Sequence, residues 1–550
     1  MIRSLLVSAL VALAAWFATA PALDGSYVYD DAQYVVENPA VRGETPLWTS
    51  PLGHPRQGLW RPLTVLSFRW QWEGASEARP MHMVNILLHV AASLLSMMLA
   101  RRLGLSRTAA LVTGLLFAVH PVHAESVAWV TGRAELLATV WVLVGWMAWL
   151  SPGRMATVAC MVAVAFAGLS KENALVAPAL FVAGDLLLHK RQLPWGRLVG
   201  LAVTVCGVFA ARLAVLPQLL PMDGPFIETS FAGRCVVALN ILGTAVRLLL
   251  WPSELRVEYQ RQEFLLVDPT NLIAAAGLLT LVVWLCKRQS ALALGLLIIP
   301  LALLPVLNLL PIGEAFGERF LYLPSVGFCL AAGALFELRA RHELASSKGL
   351  GASVAVVLLV LLAAIPACRS ATRVFRDDLS LWQHAARIAP DLPLVRYNLG
   401  LFLDRQGQHL TEDRDQTGCI EELRASLQLD PNHVYAGYAH EILGMHALGQ
   451  RDVHVPPALW VAAGHFRAAA KHAPDLFDAR INLAAISTAS PALVGPAEAL
   501  AALAVVTIDA GASAEQVRAA KELERQLSPS ASDSSSNSAE PTGTSSPDGS

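Results

Sequence analysis

Charge is what this sequence has least of. Only 15% of its 550 residues are Asp, Glu, Lys or Arg, against roughly a quarter in soluble domains. An ordinary water-soluble enzyme of this length is excluded. The 41 basic residues are balanced by 43 acidic ones, which excludes a partner held by bulk positive charge, such as nucleic acid. Cysteine is scarce too. There are seven, and Cys160, Cys206, Cys286 and Cys329 sit inside apolar runs. An odd count without a pairing pattern excludes a disulfide framework and reads as small buried hydrophobes. Neither a Rossmann glycine fingerprint nor a phosphate-loop motif is present, so nucleotide chemistry has no motif to rest on.

What is abundant is apolar sequence: 55% of residues are hydrophobic and the mean hydropathy is +0.48. The chain reads as a polytopic membrane protein. Residues 3–20, with Arg3, an apolar run from Leu5 to Phe17 and Ala18–Ala20, fit either a signal peptide or a first transmembrane anchor. The anchor is favoured because further spans follow and give it something to pack on. Either way, the chain after Pro21 lies outside the cytoplasm. At about 20 apolar residues per span, candidates fall near 4–21, 82–100, 107–120, 135–151, 155–170, 173–189, 197–216, 270–286, 290–311, 320–338 and 349–368. Segment 235–251 holds Asn240 and Arg247 and is read as re-entrant or interfacial. The loops at 101–107, 189–197, 286–290 and 339–348 are rich in Arg, Lys or both and are then all cytoplasmic by the positive-inside rule. About eleven spans result, with the N-terminus inside and the C-terminus outside. The predominance of Arg over Lys and the abundance of Ala point to a GC-rich bacterial genome, hence an inner membrane with a periplasmic outer side.

Hydropathy changes after Arg369. Residues 394–408 have the small-and-aromatic spacing of a tetratricopeptide helix, and an Ala-to-Pro phase recurs at Ala425/Pro431, Ala468/Pro474 and in 385–391. Stretches 409–418 and 451–460 look like insertions between repeats. The fold class expected is therefore all-α: a multi-span domain over 1–370, its first outer loop at 22–80, then a short helical solenoid over 371–527. Residues 528–550 are Ser, Pro and Asp with almost nothing apolar, and read as disordered.

Candidate chemistry clusters in the outer loops. Asp30 and Asp31 follow Tyr27-Val28-Tyr29 close to the membrane surface. They fit a helix N-cap, or a general base with its orienting partner, since neighbouring carboxylates resist joint ionisation and suit proton abstraction. His120, His123 and Glu125 form a His-x-x-His-x-Glu at a helix end. These are metal-ligand types, but no further ligand cluster accompanies them. A polar rim is the preferred reading, and no metal is assigned. Arg133 and Glu135 follow, then Lys171 and Glu172 at a hairpin, and Glu318, Arg319 and Tyr322 at the start of another span. Cations there suit a lipid phosphate, or simply snorkel. Arg61 opens a Trp-rich segment expected to lie on the membrane. Trp251, Arg256, Glu258 and Tyr259 add a charged aromatic rim to the doubtful segment.

Six stretches, in order, carry a resemblance: 27–41, 60–90, 116–138, 169–185, 308–328 and the repeats after Tyr397. The sequence resembles the transmembrane-and-TPR-containing O-mannosyltransferases and their bacterial relatives among the GT-C glycosyltransferases. The resemblance implies an active site at the outer membrane face, an essential acidic residue or pair in the first outer loop where Asp30 and Asp31 stand, and a polyprenyl-phosphate sugar as donor. It implies a phosphate held by Arg319, Lys171 or Arg133 without choosing among them, and a Ser or Thr hydroxyl of a protein acceptor, possible occupant of the repeats. Transfer would invert the anomeric centre. The repeats are fewer and more interrupted than in the animal relatives. A ligase of surface polysaccharide, a transporter and a silent scaffold are the rival readings. Polar residues crowded at one face rather than the midplane argue against the transporter.

Overall fold

The computed structural model describes residues 2–50, 52, 59–72, 77–189, 194–216, 224–287, 290–345, 351–409, 417–449 and 456–528. Nearly all of the Ser-rich tail, most of the expected insertion 409–418, the first half of 451–460, and parts of the 22–80 loop and the basic loops lie outside the described residues; 456–460 opens helix Pro456–His472. Among the described residues every regular element is helical. The chain divides into two compact units, Met1–Ile388 and Ala389–Ser550. Helix Asp378–Ile388 thus belongs with the first unit.

In the first unit, eight helices are long and apolar enough to cross a membrane: Leu5–Asp24, Arg79–Arg102, Val130–Trp149, Trp195–Val215, Phe231–Leu250, Pro269–Cys286, Glu318–Glu343 and Gly351–Val374. A ninth results if Arg107–Val119 and Pro121–Ala128, bent by 50°, count as one. The eleven-span expectation is corrected where local chemistry interrupts a helix. Pro121 has no N–H to continue the ladder from Arg107–Val119. Segment 290–311 is helical only over Ala291–Leu303 before Pro305 ends it. Segment 173–189 is split into Glu172–Val176, Ala177–Gly184 and a π-turn at Asp185–His189, where Asp185 accepts a hydrogen bond from Trp149 Nε1 at 3.0 Å. Segment 235–251, expected to be re-entrant or interfacial, lies up to Leu250 in one unbroken 20-residue helix, Phe231–Leu250, which removes the re-entrant option. Its polar residues are absorbed internally: Asn240 donates to the carbonyls of Phe264 (2.9 Å) and Leu266 (2.7 Å), and Arg247 donates to Asn271.

Side-chain caps set several helix starts. Ser106 accepts from Ala109 N, Asp268 from Thr270 N and Ser290 from Ala293 N, each satisfying an orphan donor of a first turn. Helices Ala291–Leu303 and Tyr322–Ala345 approach backbone to backbone. A Cβ on Gly295 would lie 2.7 Å from Gly327 O, and one on Gly327 would lie 2.5 Å from Gly295 O. Only glycine allows that crossing.

Hydrogen bonds sort the loops into two ends of the bundle. At one end, Ser26 N donates to Arg376 O, Asp31 accepts from Thr131 N, Arg61 pairs with Glu172, Lys171 with Glu135, Arg319 with Glu125, and Tyr29 with Glu258. At the other, Arg102 donates to Ser151, Arg197 to the carbonyls of Trp149 and Ser151, Ser106 N to Glu337, and Ser353 to Glu343. Helices Arg79–Arg102, Arg133–Trp149 and Gly351–Val374 run from one set to the other. Residues of three of the four basic loops therefore meet at the end opposite Asp30 and Asp31.

The second unit pairs Pro393–His409 with Thr417–Leu429, Ala436–Gly449 with Pro456–His472 and Phe477–Ala489 with Pro496–Ile508. Ala514–Leu527 closes the stack, capped by Ser513 and Gln516. Its core is small and apolar, built around Phe466, Ala469, Leu483, Ala484 and Leu503.

Candidate active site

The backbone that presents the two aspartates is unusual. Tyr29 has φ 52°, a left-handed conformation that aromatic residues rarely adopt and that persists only where surroundings impose it. Here they do. Tyr29 N donates to Asp378 Oδ1 at 2.7 Å and its hydroxyl to Glu258 Oε1 at 2.7 Å, while its ring stacks on Trp129 and meets Trp382 edge-on.

The aspartates then part. Asp31 is fully buried and accepts from Val28 N (3.1 Å) and Thr131 N (2.9 Å). It ties the first loop to the 120–135 segment. It makes no side-chain cap to the turn that follows, so the N-cap reading is corrected. Asp30 is partly buried, and among the described residues its carboxylate has no hydrogen-bond or ion-pair partner. Burial pushes both groups up to about 7. Arg319 works against the rise at Asp30 and Glu314 adds to it, whereas backbone N–H donors oppose it at Asp31. Glu258 is likewise pushed up to about 7 by burial, the Tyr29 hydroxyl opposing.

Arg319 is the cation whose charge bears on Asp30. It lies over the Trp129 ring at 4.9 Å and is ion-paired with Glu125 and Glu314; Glu125 also accepts from Arg319 N at 2.7 Å. Glu314, half-exposed, is partly desolvated, but Arg319, Lys171 and Arg61 outweigh that and hold it below the usual carboxylate range. Arg61 grips Glu172 through two hydrogen bonds of 3.0 and 2.6 Å, which drives Glu172 down to about 2 against its burial.

Other sequence candidates are occupied. Arg133 is buried, donating to Asn85 Oδ1 (2.9 Å), Gln71 Oε1 (2.6 Å) and Met81 O (2.8 Å). Its donors face inward, which corrects its assignment to a phosphate. Lys171 is buried against Glu135. His120 hydrogen-bonds Leu249 O at 3.0 Å, and His123 bonds Ser325 Oγ at 2.7 Å. Their donors diverge while Glu125 faces Arg319, so these three make no metal cage among the described residues. Glu318 accepts from Arg256 N (2.6 Å) and Tyr259 OH (2.7 Å). Tyr322 bonds His89 at 2.8 Å.

Two cavities lie in the first unit, the larger running from His120 to Arg339 and Ser353. One of about 830 Å³ is largely apolar, lined by Val112, Leu116, His120, Trp251, Phe328 and Val356 among others. The second, about 500 Å³, is lined by Arg256, Glu318, Arg373, His384 and Arg387. Pro252 and Ala367 line both. Asp30 lines neither; Glu318, next to Arg319, lines the second.

No family model matches the chain. It is similar to protein O-mannosyl-transferases. It is 28% identical over 504 residues to Protein O-mannosyl-transferase Tmtc1 of Drosophila melanogaster, covering 70% of this chain and 58% of that protein. Against Protein O-mannosyl-transferase F38B6.6 of Caenorhabditis elegans it is 28% identical over 442 residues, covering 75% and 61%. Against Protein O-mannosyl-transferase TMTC4 of Homo sapiens it is 29% identical over 472 residues, covering 70% and 62%. The chain thus spans about three-fifths of the length of these relatives.

Beside the O-mannosyl-transferase likeness, the geometry adds residues that the sequence did not single out. Glu314 lies in a stretch that drew notice for Glu318 and Arg319, yet it is Glu314 that pairs with Arg319 near Asp30. Tyr29, Trp129 and Trp382 form the aromatic support. The double Tyr beside the aspartates was a visible signal; Trp382, more than 350 residues away, gave none.

Proposed function

We propose that this protein is a membrane glycosyltransferase that moves a hexose from a polyprenyl-phosphate carrier to a Ser or Thr hydroxyl of a protein, with Asp30 as the general base. The observation that carries the reading is the Asp30 carboxylate, which among the described residues has no hydrogen-bond or ion-pair partner and lies under the charge of Arg319, in a chain similar to protein O-mannosyl-transferases. A base must be free to accept a proton and must have a pKa near the working pH. Asp30 meets both conditions, while Asp31 is tied to two backbone N–H groups and orients the loop.

The mechanism follows from charge. The acceptor hydroxyl attacks the anomeric carbon as its proton passes to Asp30, the bond from that carbon to the phosphate oxygen breaks, and the configuration inverts. The leaving phosphate gains negative charge, which Arg319 stabilises; the half-exposed Glu314 is the partner it can release. The two neighbouring cavities, one largely apolar and the other Arg-lined, suit a lipid chain with an anionic head. Arg-bearing loops gathered at the opposite end favour that end as cytoplasmic, leaving Asp30 on the outer side, the periplasmic one in a bacterial host. The helical repeats are a surface for the acceptor protein.

The test is donor exchange in liposomes. Hexose should reach a Ser/Thr-containing protein from polyprenyl phosphate and not from a nucleotide sugar. Transfer from the nucleotide sugar alone would overturn the reading.

A further inference from the structure

The second unit carries a cluster outside the proposed transfer site. Asp404 on helix Pro393–His409, Cys419 on Thr417–Leu429 and His446 on Ala436–Gly449 turn their donor atoms to one point, all within 4.8 Å of one another. His446 Nε2 lies 2.7 Å from Asp404 Oδ1 and 3.5 Å from Cys419 Sγ.

A catalytic relay would use both ring nitrogens, one toward the thiol and one toward the carboxylate. Here the same Nε2 faces both, an arrangement that converges on one point instead of running through the ring. Donors that converge rather than form a chain are the arrangement a metal ion needs. A tetrahedral ion at about 2.0–2.3 Å from its ligands holds the donors roughly 3.3–3.7 Å apart. The sulfur–nitrogen separation is already in that range. The nitrogen–oxygen pair has to open by roughly 0.6–1.0 Å, within reach of a carboxylate rotation.

We propose that Asp404, Cys419 and His446 bind a divalent metal of the zinc class. Thiolate, imidazole and carboxylate together favour that ion over magnesium or calcium, which take oxygen donors. Binding releases the thiol proton, so affinity rises with pH. With ligands on three helices, the ion fastens the first helical pair of the stack to the next, and three protein ligands leave a fourth position for water or a group from a bound partner. The site stands independently of the glycosyltransferase reading.

The test is titration of the chelator-stripped, full-length protein in detergent with Co²⁺ and with Zn²⁺. One equivalent of Co²⁺ should produce a near-ultraviolet thiolate-to-cobalt charge-transfer band, displaced by Zn²⁺. Cys419→Ser, which keeps the side chain's size, should abolish the band. Asp404→Asn should weaken Zn²⁺ binding by at least the roughly ten- to hundredfold that loss of a metal's outer partner costs. His440→Ala, which alters the neighbouring His440–His465 pair (Nδ1 to Nδ1, 2.9 Å), should leave the band unchanged. Absence of a band in the wild type, or a band that survives Cys419→Ser, overturns the proposal. Sugar transfer is not the readout, so failure here leaves the transferase reading as it stands.

Discussion

Asp30 and Asp31 differ by one position and by everything around them. Asp31 accepts from two backbone N–H groups that have no other acceptor among the described residues. Asp31→Ala strands both, at about 1–3 kcal/mol for each buried donor. It should lower the thermal unfolding midpoint in detergent well below that of Asp30→Ala; equal midpoints would contradict the structural role. The pH profile tests Asp30. A base works ionised, so transfer should rise with pH through about 7, where burial sets Asp30, and level off above. Glu314 is a negative neighbour that raises Asp30. Glu314→Gln removes that charge and leaves Arg319 more effective, so the acid limb should move to lower pH, by about half a unit to one unit. A limb that moves upward or stays put would show that another group titrates.

Among the elements, the hairpin Ser170–Glu172 is held by an ion pair rather than by apolar packing alone. Lys171 and Glu135 are 5% and 3% exposed, so neither charge has water as an alternative. Breaking such a pair costs about 3–5 kcal/mol, whereas replacing both members with apolar residues is close to neutral. Lys171→Met alone should therefore destabilise the protein strongly and Lys171→Met with Glu135→Leu should recover most of the loss, measured as thermal unfolding in detergent; an unaffected single variant would contradict the pairing. The sequence showed the helices well, because runs of apolar residues are a local signal. It did not show where they stop. Pro121, Pro305 and the Asp185 contact with Trp149 shorten or bend segments that hydropathy joins, and Asn240 and Arg247 looked like span breakers because their partners, in 264–271, belong to a different segment. Arg133 likewise looked free until Asn85, Gln71 and Met81 enclosed it. Candidate site residues were legible as polar residues in the loops between apolar segments; their partners were set by tertiary packing and were not.

For the whole molecule, the two ends of the bundle are the testable unit. In a background with the exposed Cys206 replaced, Arg154→Cys and Arg376→Cys should react with a membrane-impermeant thiol reagent from opposite sides of sealed vesicles; labelling from one side would contradict the sorting of loops by their hydrogen bonds. The chemistry proposed turns on Asp30 taking the acceptor's proton. Its most direct test is the transfer rate in liposomes carrying a polyprenyl-phosphate hexose, comparing wild type with Asp30→Asn at matched amounts of folded protein. The account predicts a loss of about a hundred- to ten-thousandfold with the unfolding midpoint retained. An Asp30→Asn variant that transfers sugar at the wild-type rate would contradict it.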